Sequence, residues 1–129
     1  MSTDTHGNKF SLRKRAKSFV YAFRGIGHVF KTQPNMQIHV IIALLVIVAG
    51  LWLELSIAEW LFIVFAVGLV FSAELFNSAV EKLVDFISPG YDDRAGRIKD
   101  MAAGAVFIAA ITAAVIGLLI FVPRLINLL

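Results

Sequence analysis

The sequence contains no cysteine, which removes a disulfide framework, a thiolate zinc site and a cysteine nucleophile together. It is also short of charge. Asp, Glu, Lys and Arg make up 16% of residues, against about 25% in soluble domains. Apolar residues take their place at 59%, above the roughly 45–50% of soluble domains. A chain of 129 residues has too little interior to hide that much apolar surface from water. Lipid is the expected solvent, and one domain, residues 1–129, the expected organisation. Familiar catalytic motifs are missing too. There is no Gly-x-x-x-x-Gly-Lys-Ser/Thr loop, no Gly-x-Ser-x-Gly elbow and no His-Glu-x-x-His pair. A nucleotide, if one is used, must be held by side chains of membrane helices. No internal repeat or low-complexity tract is present.

Residues 1–9 are polar and are expected to form a disordered tail. No apolar core of 7–15 residues follows the basic start directly, so a secretory signal is not expected. Residues 10–31 interleave Phe10, Leu12, Phe19, Val20, Phe23, Ile26 and Phe30 with basic residues, the pattern of an interfacial amphipathic helix, weakened by Gly25 and Gly27. Pro34 then interrupts the chain. Three membrane helices are expected over 36–53, 57–85 and 101–122. Ser88-Pro89-Gly90-Tyr91-Asp92-Asp93 reads as a turn, Arg94 to Asp100 as a charged stretch, and Pro123-Arg124 as the end of the last span. The expected architecture is all-α: one surface helix and three membrane helices.

The positive charge is unevenly placed. Seven of the twelve Lys and Arg residues precede the first span, and Lys82, Arg94, Arg97 and Lys99 lie between the second and third. The connection between spans one and two holds none. Positive residues collect on the cytoplasmic side, so a cytoplasmic N-terminus and second loop are expected, in a bacterial inner membrane. Trp52 and Trp60 fall near the opposite boundary, where aromatic belts occur. A basic arm could also bind nucleic acid, but beside a membrane span its plainer partner is the anionic lipid surface.

The second span is apolar through Phe71 and then polar on one side. At about 100° per residue, offsets of 3, 7 and 11 set Asn77, Glu81 and Asp85 within about 80° of Glu74. Carboxylates on a membrane helix are costly and rarely face lipid, so this stripe needs cations, a metal ion or water. Carboxylates with an amide suit a hard cation such as magnesium, and one carboxylate left free of metal could take a proton from an alcohol. Lys99 and Asp100, with Asp92 and Asp93, fall near the same membrane boundary. The blander alternatives are polar side chains that glue helices together in an oligomer and charges that are only solvated ends or loop. His39 reads as a hydrogen-bonded interfacial histidine more readily than as a functional group.

From Glu74 to Asp85 the sequence resembles the signature of the bacterial diacylglycerol kinase and undecaprenol kinase family: Glu, two residues, Asn, Ser or Thr, Ala, an aliphatic residue, Glu, three residues, Asp. Gly96-Arg97-Ile98-Lys99-Asp100 and Phe23-Arg24-Gly25 resemble it as well, and the likeness runs from about Phe19 to Pro123. The resemblance implies a homotrimer with active sites shared between subunits, in which ATP with Mg2+ gives its γ-phosphate to a lipid alcohol. It implies a general base at Glu74, an orienting amide at Asn77, a magnesium ligand at Glu81 and a phosphate-binding lysine at Lys99. It also implies nucleotide-side residues at Asp85, Asp100, Lys14, Tyr21, Tyr91, Asp92 and Asp93.

Two positions depart from the pattern. Gln33 stands where the family usually has a magnesium-binding glutamate, and Phe76 where an aliphatic residue is more usual. A neutral amide can still offer its oxygen to the metal, without charge. The segments Gln33 to His39, Leu53 to Trp60 and Ile116 to Pro123 look closer to the undecaprenol kinase branch, so undecaprenol is the expected acceptor and diacylglycerol the alternative. Outside enzymes, a polar stripe could mark a small ion channel or transport subunit. Against this, the acids cluster at one end and Leu61 to Leu69 is apolar.

Overall fold

The computed structural model describes residues 10–129, and these form four helices: α1 (Leu12–Thr32), α2 (Pro34–Trp52), α3 (Ile57–Ile87) and α4 (Asp93–Leu128). The tail expected over residues 1–9 lies outside the described residues. Three of the helices, α2, α3 and α4, are long and apolar enough to cross a membrane. The chain is an all-α membrane protein.

α1 starts at Ser11, whose side chain accepts from the Lys14 N–H, and runs unbroken through Gly25 and Gly27. It ends because Pro34 keeps Gln33 extended, at φ −103° and ψ 112°. The same proline is ideal at the first position of α2, where its missing N–H costs nothing. Phe19, Val20 and Phe23 of α1 are exposed, as suits a helix lying against lipid. Only the end of α1 docks on the spans. Val29 is buried, and Phe30 meets Phe71 edge-on with ring centroids 5.5 Å apart. Gln37 of α2 donates its amide to the carbonyls of Phe30 and Lys31.

α2 and α3 form an antiparallel hairpin with a tight corner. Leu55 N–H bonds the Gly50 carbonyl, and Glu54 N–H the Leu51 carbonyl. This is the six-to-one, five-to-two pattern of a Schellman ending, with Glu54 at φ 53° where glycine is usual. Gly50 is required by packing: a Cβ there would meet the Trp60 ring at 2.7 Å and Leu55 Cδ1 at 2.9 Å. Ser56 and Glu59 then form a reciprocal capping box that starts α3. Buried Leu55, Ile63 and Ile120 make the apolar core at this end, with Trp60, Val67 and Phe121 packed on it.

α4 runs back along α3. Lipid gives helices no hydrophobic reason to associate, so close packing must hold them, and α4 is rich in Ala and Gly. Arg124 closes the hairpin end. Its guanidinium donates to both carboxylate oxygens of Glu59 and to the carbonyls of Leu53 and Glu54.

The spans are longer than the sequence suggests. α3 has 31 residues and α4 has 36, rising about 46 and 54 Å against a hydrocarbon core of about 30 Å. The stretch Arg94 to Asp100, expected as a charged connection, forms the first turns of α4. Asp92 caps it by accepting from the N–H groups of Arg94 and Ala95. Pro123 does not end the last span, and the helix continues to Leu128. Proline removes one hydrogen bond there, while Arg124, the next residue, is anchored to the corner.

Candidate active site

The polar stripe on α3 is present as one face, and its exposure is graded along the helix. Glu74 is 2% exposed and Asn77 5%. Glu81 is half-buried, and the Asp85 side chain is 63% exposed. Packing of α3 against its neighbouring helices, close at Glu74 and looser toward Asp85, produces this gradient. The deep end offers a carboxylate shielded from water, and the shallow end offers one in contact with it.

The Asn77 amide donates to Glu81 Oε1 at 3.3 Å. Three buried polar atoms beside it have no hydrogen-bond partner: Glu74 Oε2, Asn77 Oδ1 and Ser78 Oγ. Burying such groups unpaired is expensive, and within one protomer none makes a hydrogen bond to another helix. They form a buried polar cluster whose unpartnered atoms could bond a hydroxyl or a cation.

At the shallow end, the Lys99 ammonium of α4 pairs with the Asp85 carboxylate. The α3–α4 turn is built around its acids. Tyr91 donates its hydroxyl to Asp93 at 2.7 Å, which pushes its phenol above the usual range. Asp92 accepts from the Arg94 guanidinium at 3.1 Å as well as capping α4. The guanidinium and these N–H groups hold the Asp92 carboxyl below the usual range. Asp100 is exposed beside Lys99 in sequence.

The structure joins some expected residues and leaves others apart. Glu74, Asn77, Glu81 and Asp85 share a face, and Lys99 comes to it across 14 residues of sequence. Lys14 and Tyr21 are exposed on α1. Tyr21 carries the Arg24 guanidinium over its ring at 5.7 Å, and among the described residues neither Lys14 nor Tyr21 bonds the α3 face. Gln33 is half-buried at the α1–α2 junction, and its side chain caps neither helix.

Among the described residues, no three His, Asp or Glu side chains converge to hold a metal ion. Magnesium does not require such a cage. It commonly binds through one or two carboxylates and substrate phosphates, and keeps several waters. Half-buried Glu81, with the unpartnered Asn77 Oδ1 one turn away, fits that donor chemistry.

Two features were not assigned from sequence. His39 of α2 stands with Nε2 3.7 Å from Glu74 Oε2. Lys82 of α3 meets His28 Nε2 of α1. The His39 contact is traceable by counting. Thirteen residues back from Trp52, the end of α2, is His39; thirteen forward from Ile57, the start of α3, is Val70, one turn from Glu74. An apolar groove of about 520 Å³ runs between α2, α3 and α4, with His39, Phe71 and Ala110 at one end and Phe121 at the other. Eleven residues of α4 separate Ala110 from Phe121, so the groove extends about 16 Å along the span. Its lining apart from His39 is apolar, which does not suit an ion pathway through the membrane.

Comparison with known proteins adds to this geometry. The family model for prokaryotic diacylglycerol kinase matches residues 20–121. An undecaprenol kinase of Bacillus subtilis (strain 168) is 43% identical over 122 residues, covering 95% of this chain and 99% of the relative. A diacylglycerol kinase of Synechocystis sp. is 36% identical, covering 95% of this chain and 75% of the relative. A diacylglycerol kinase of Escherichia coli (strain K12) is 31% identical, covering 77% and 81%.

Proposed function

The chain belongs to the prokaryotic diacylglycerol kinase family and is a membrane lipid kinase that uses ATP, and we propose that its acceptor is undecaprenol, phosphorylated at a site centred on Glu74. The observation that carries this proposal is the buried Glu74 carboxylate, whose Oε2 makes no hydrogen bond and lies 3.7 Å from the histidine that ends an apolar groove. Such a groove lets a long hydrocarbon chain stay out of water while its hydroxyl reaches the polar cluster. Support for a polyprenol comes from the 43% identity and near-complete mutual coverage with a protein named undecaprenol kinase. The relatives named diacylglycerol kinase favour diacylglycerol as the second candidate.

The chemistry assigns each residue a task. The Glu74 carboxylate accepts the proton of the lipid hydroxyl as the oxygen attacks the γ-phosphorus of ATP, and ADP leaves. Asn77 orients the hydroxyl. Phosphoryl transfer spreads negative charge over the transferred group, so positioning and cations supply most of the catalysis. Lys99, now paired with Asp85, supplies a cation that phosphate oxygens can recruit. Magnesium, held by Glu81 with Gln33 as a neutral oxygen donor, would neutralise charge on the phosphates. Lys14, Tyr21, Tyr91, Asp92, Asp93 and Asp100 are assigned to the nucleotide side. Because Lys14, Tyr21 and Gln33 stand apart from the stripe in one protomer, a homotrimer with shared sites is the assembly this assignment favours. The proposed orientation is a cytoplasmic N-terminus in a bacterial inner membrane, which sets the shallow end of the stripe where ATP is.

The test is phosphate transfer from labelled ATP by purified protein to undecaprenol and to diacylglycerol, each with Mg2+. The expected result is preferential transfer to undecaprenol. Transfer to diacylglycerol alone would overturn the choice of acceptor and leave the catalytic stripe standing.

A further inference from the structure

We propose that His39 is a positioning residue for Glu74, holding the proposed base in the orientation that meets the lipid hydroxyl. The inference rests on the assignment of Glu74 as the base and adds to it a residue from another helix.

A carboxylate at 2% exposure has no water to solvate it, so its orientation depends on protein donors. The nearby donors are few. The Asn77 amide donates to Glu81 Oε1 and also lies beside Glu74, on the same helix. The Ser78 hydroxyl, one turn along α3, makes no hydrogen bond. His39 is the only titratable side chain on α2, and its Nε2 faces Glu74 Oε2. Their separation of 3.7 Å exceeds a hydrogen bond by less than about 1 Å.

The second observation is where the imidazole stands. It is the polar end of an otherwise apolar groove. A lipid lying in that groove reaches Glu74 past His39. The imidazole then donates from Nε2 to Oε2 and leaves the carboxylate's other oxygen for the hydroxyl proton. Because His39 itself makes no contact with phosphate in this arrangement, its loss affects turnover and not nucleotide binding.

The test compares the purified wild type with His39→Gln, His39→Asn, His39→Phe and Glu74→Gln, measuring kcat and the KM for ATP. A glutamine amide nitrogen sits where Nε2 does, whereas an asparagine nitrogen sits where Nδ1 does. His39→Asn and His39→Phe are expected to lose kcat on the order of 10²-fold, the scale of a misplaced reacting group, with the KM for ATP unchanged within about twofold. His39→Gln is expected to recover most of kcat. Retained kcat in His39→Asn and His39→Phe would overturn the proposal. So would equal loss in all three variants, or a parallel rise in the KM for ATP, because each would mark a role in packing alone. If His39→Phe does not fold, the Gln and Asn pair still decides. Activity in Glu74→Gln would instead remove the base itself, whatever the His39 variants do.

Discussion

Lys99 of α4 and Asp85 of α3 form an ion pair across 14 residues of chain, at the point where both helices emerge from the apolar part of the molecule. The pair ties the start of α4 to the shallow end of the proposed catalytic stripe. It also parks a cation next to the proposed phosphate site, partly exposed and free to change partners. Replacing Lys99 with Met should lower kcat/KM for ATP on the order of 10²-fold, the loss typical of removing one charge-stabilising donor. Asp85→Asn should have a smaller effect, seen mainly as a changed KM for ATP. Steady-state kinetics in mixed micelles reads both.

Asp92 links pH to the start of α4. Its carboxyl lies below the usual range because the Arg94 guanidinium and the N–H groups of Arg94 and Ala95 favour the charged form. A depressed folded-state pKa stabilises the folded form fully above the ordinary value of about 3.9, and that contribution is lost as pH falls through the lower folded value. Hydrogen-exchange protection over residues 94–97 should therefore be flat from neutral pH to about pH 5, and fall only in stronger acid. Asp92→Ala should weaken protection there at every pH. Asp92→Asn, which keeps an accepting oxygen, should weaken it less.

The hairpin end should behave as a mechanical lock. Gly50→Ala forces a methyl into Trp60 and Leu55, and overpacking of this kind costs about 1–3 kcal/mol. Arg124→Met removes four donated hydrogen bonds to the corner. Both variants should melt at lower temperature than the wild type. Arg124→Met and Glu59→Gln should be less than additive when combined, because each breaks the same pair.

Gln33→Glu tests the proposed role of Gln33 as a magnesium ligand. A carboxylate in place of the amide adds charge next to a hard cation. The magnesium concentration giving half-maximal activity should fall several-fold, with kcat little changed. An unchanged magnesium dependence would take Gln33 out of the metal's surroundings.

The sequence made the helices and the stripe legible because both depend on local periodicity. Glu74, Asn77, Glu81 and Asp85 fall on one face by rotation alone. The order of the spans puts Lys99 near the cytoplasmic end of that face, and the fold supplies its partner, Asp85. Helix ends were harder to read. Arg94 to Asp100 looks like a loop by charge, but the Asp92 cap starts a helix there. Pro123 looks like a stop, but α4 continues past it. The nearness of His39 to Glu74 is not legible from either helix alone, because only the register of α2 against α3 brings them together. The Arg124–Glu59 lock joins residues 65 apart, and no local pattern announces it.

The central measurement is transfer of labelled phosphate from ATP to undecaprenol by wild-type protein and by Glu74→Gln, prepared and assembled alike. The wild type should phosphorylate the lipid, and Glu74→Gln should fall to background while still binding ATP, since the substitution removes the proton acceptor and little volume. Turnover by Glu74→Gln at the wild-type rate would contradict the assignment of the buried carboxylate as the base.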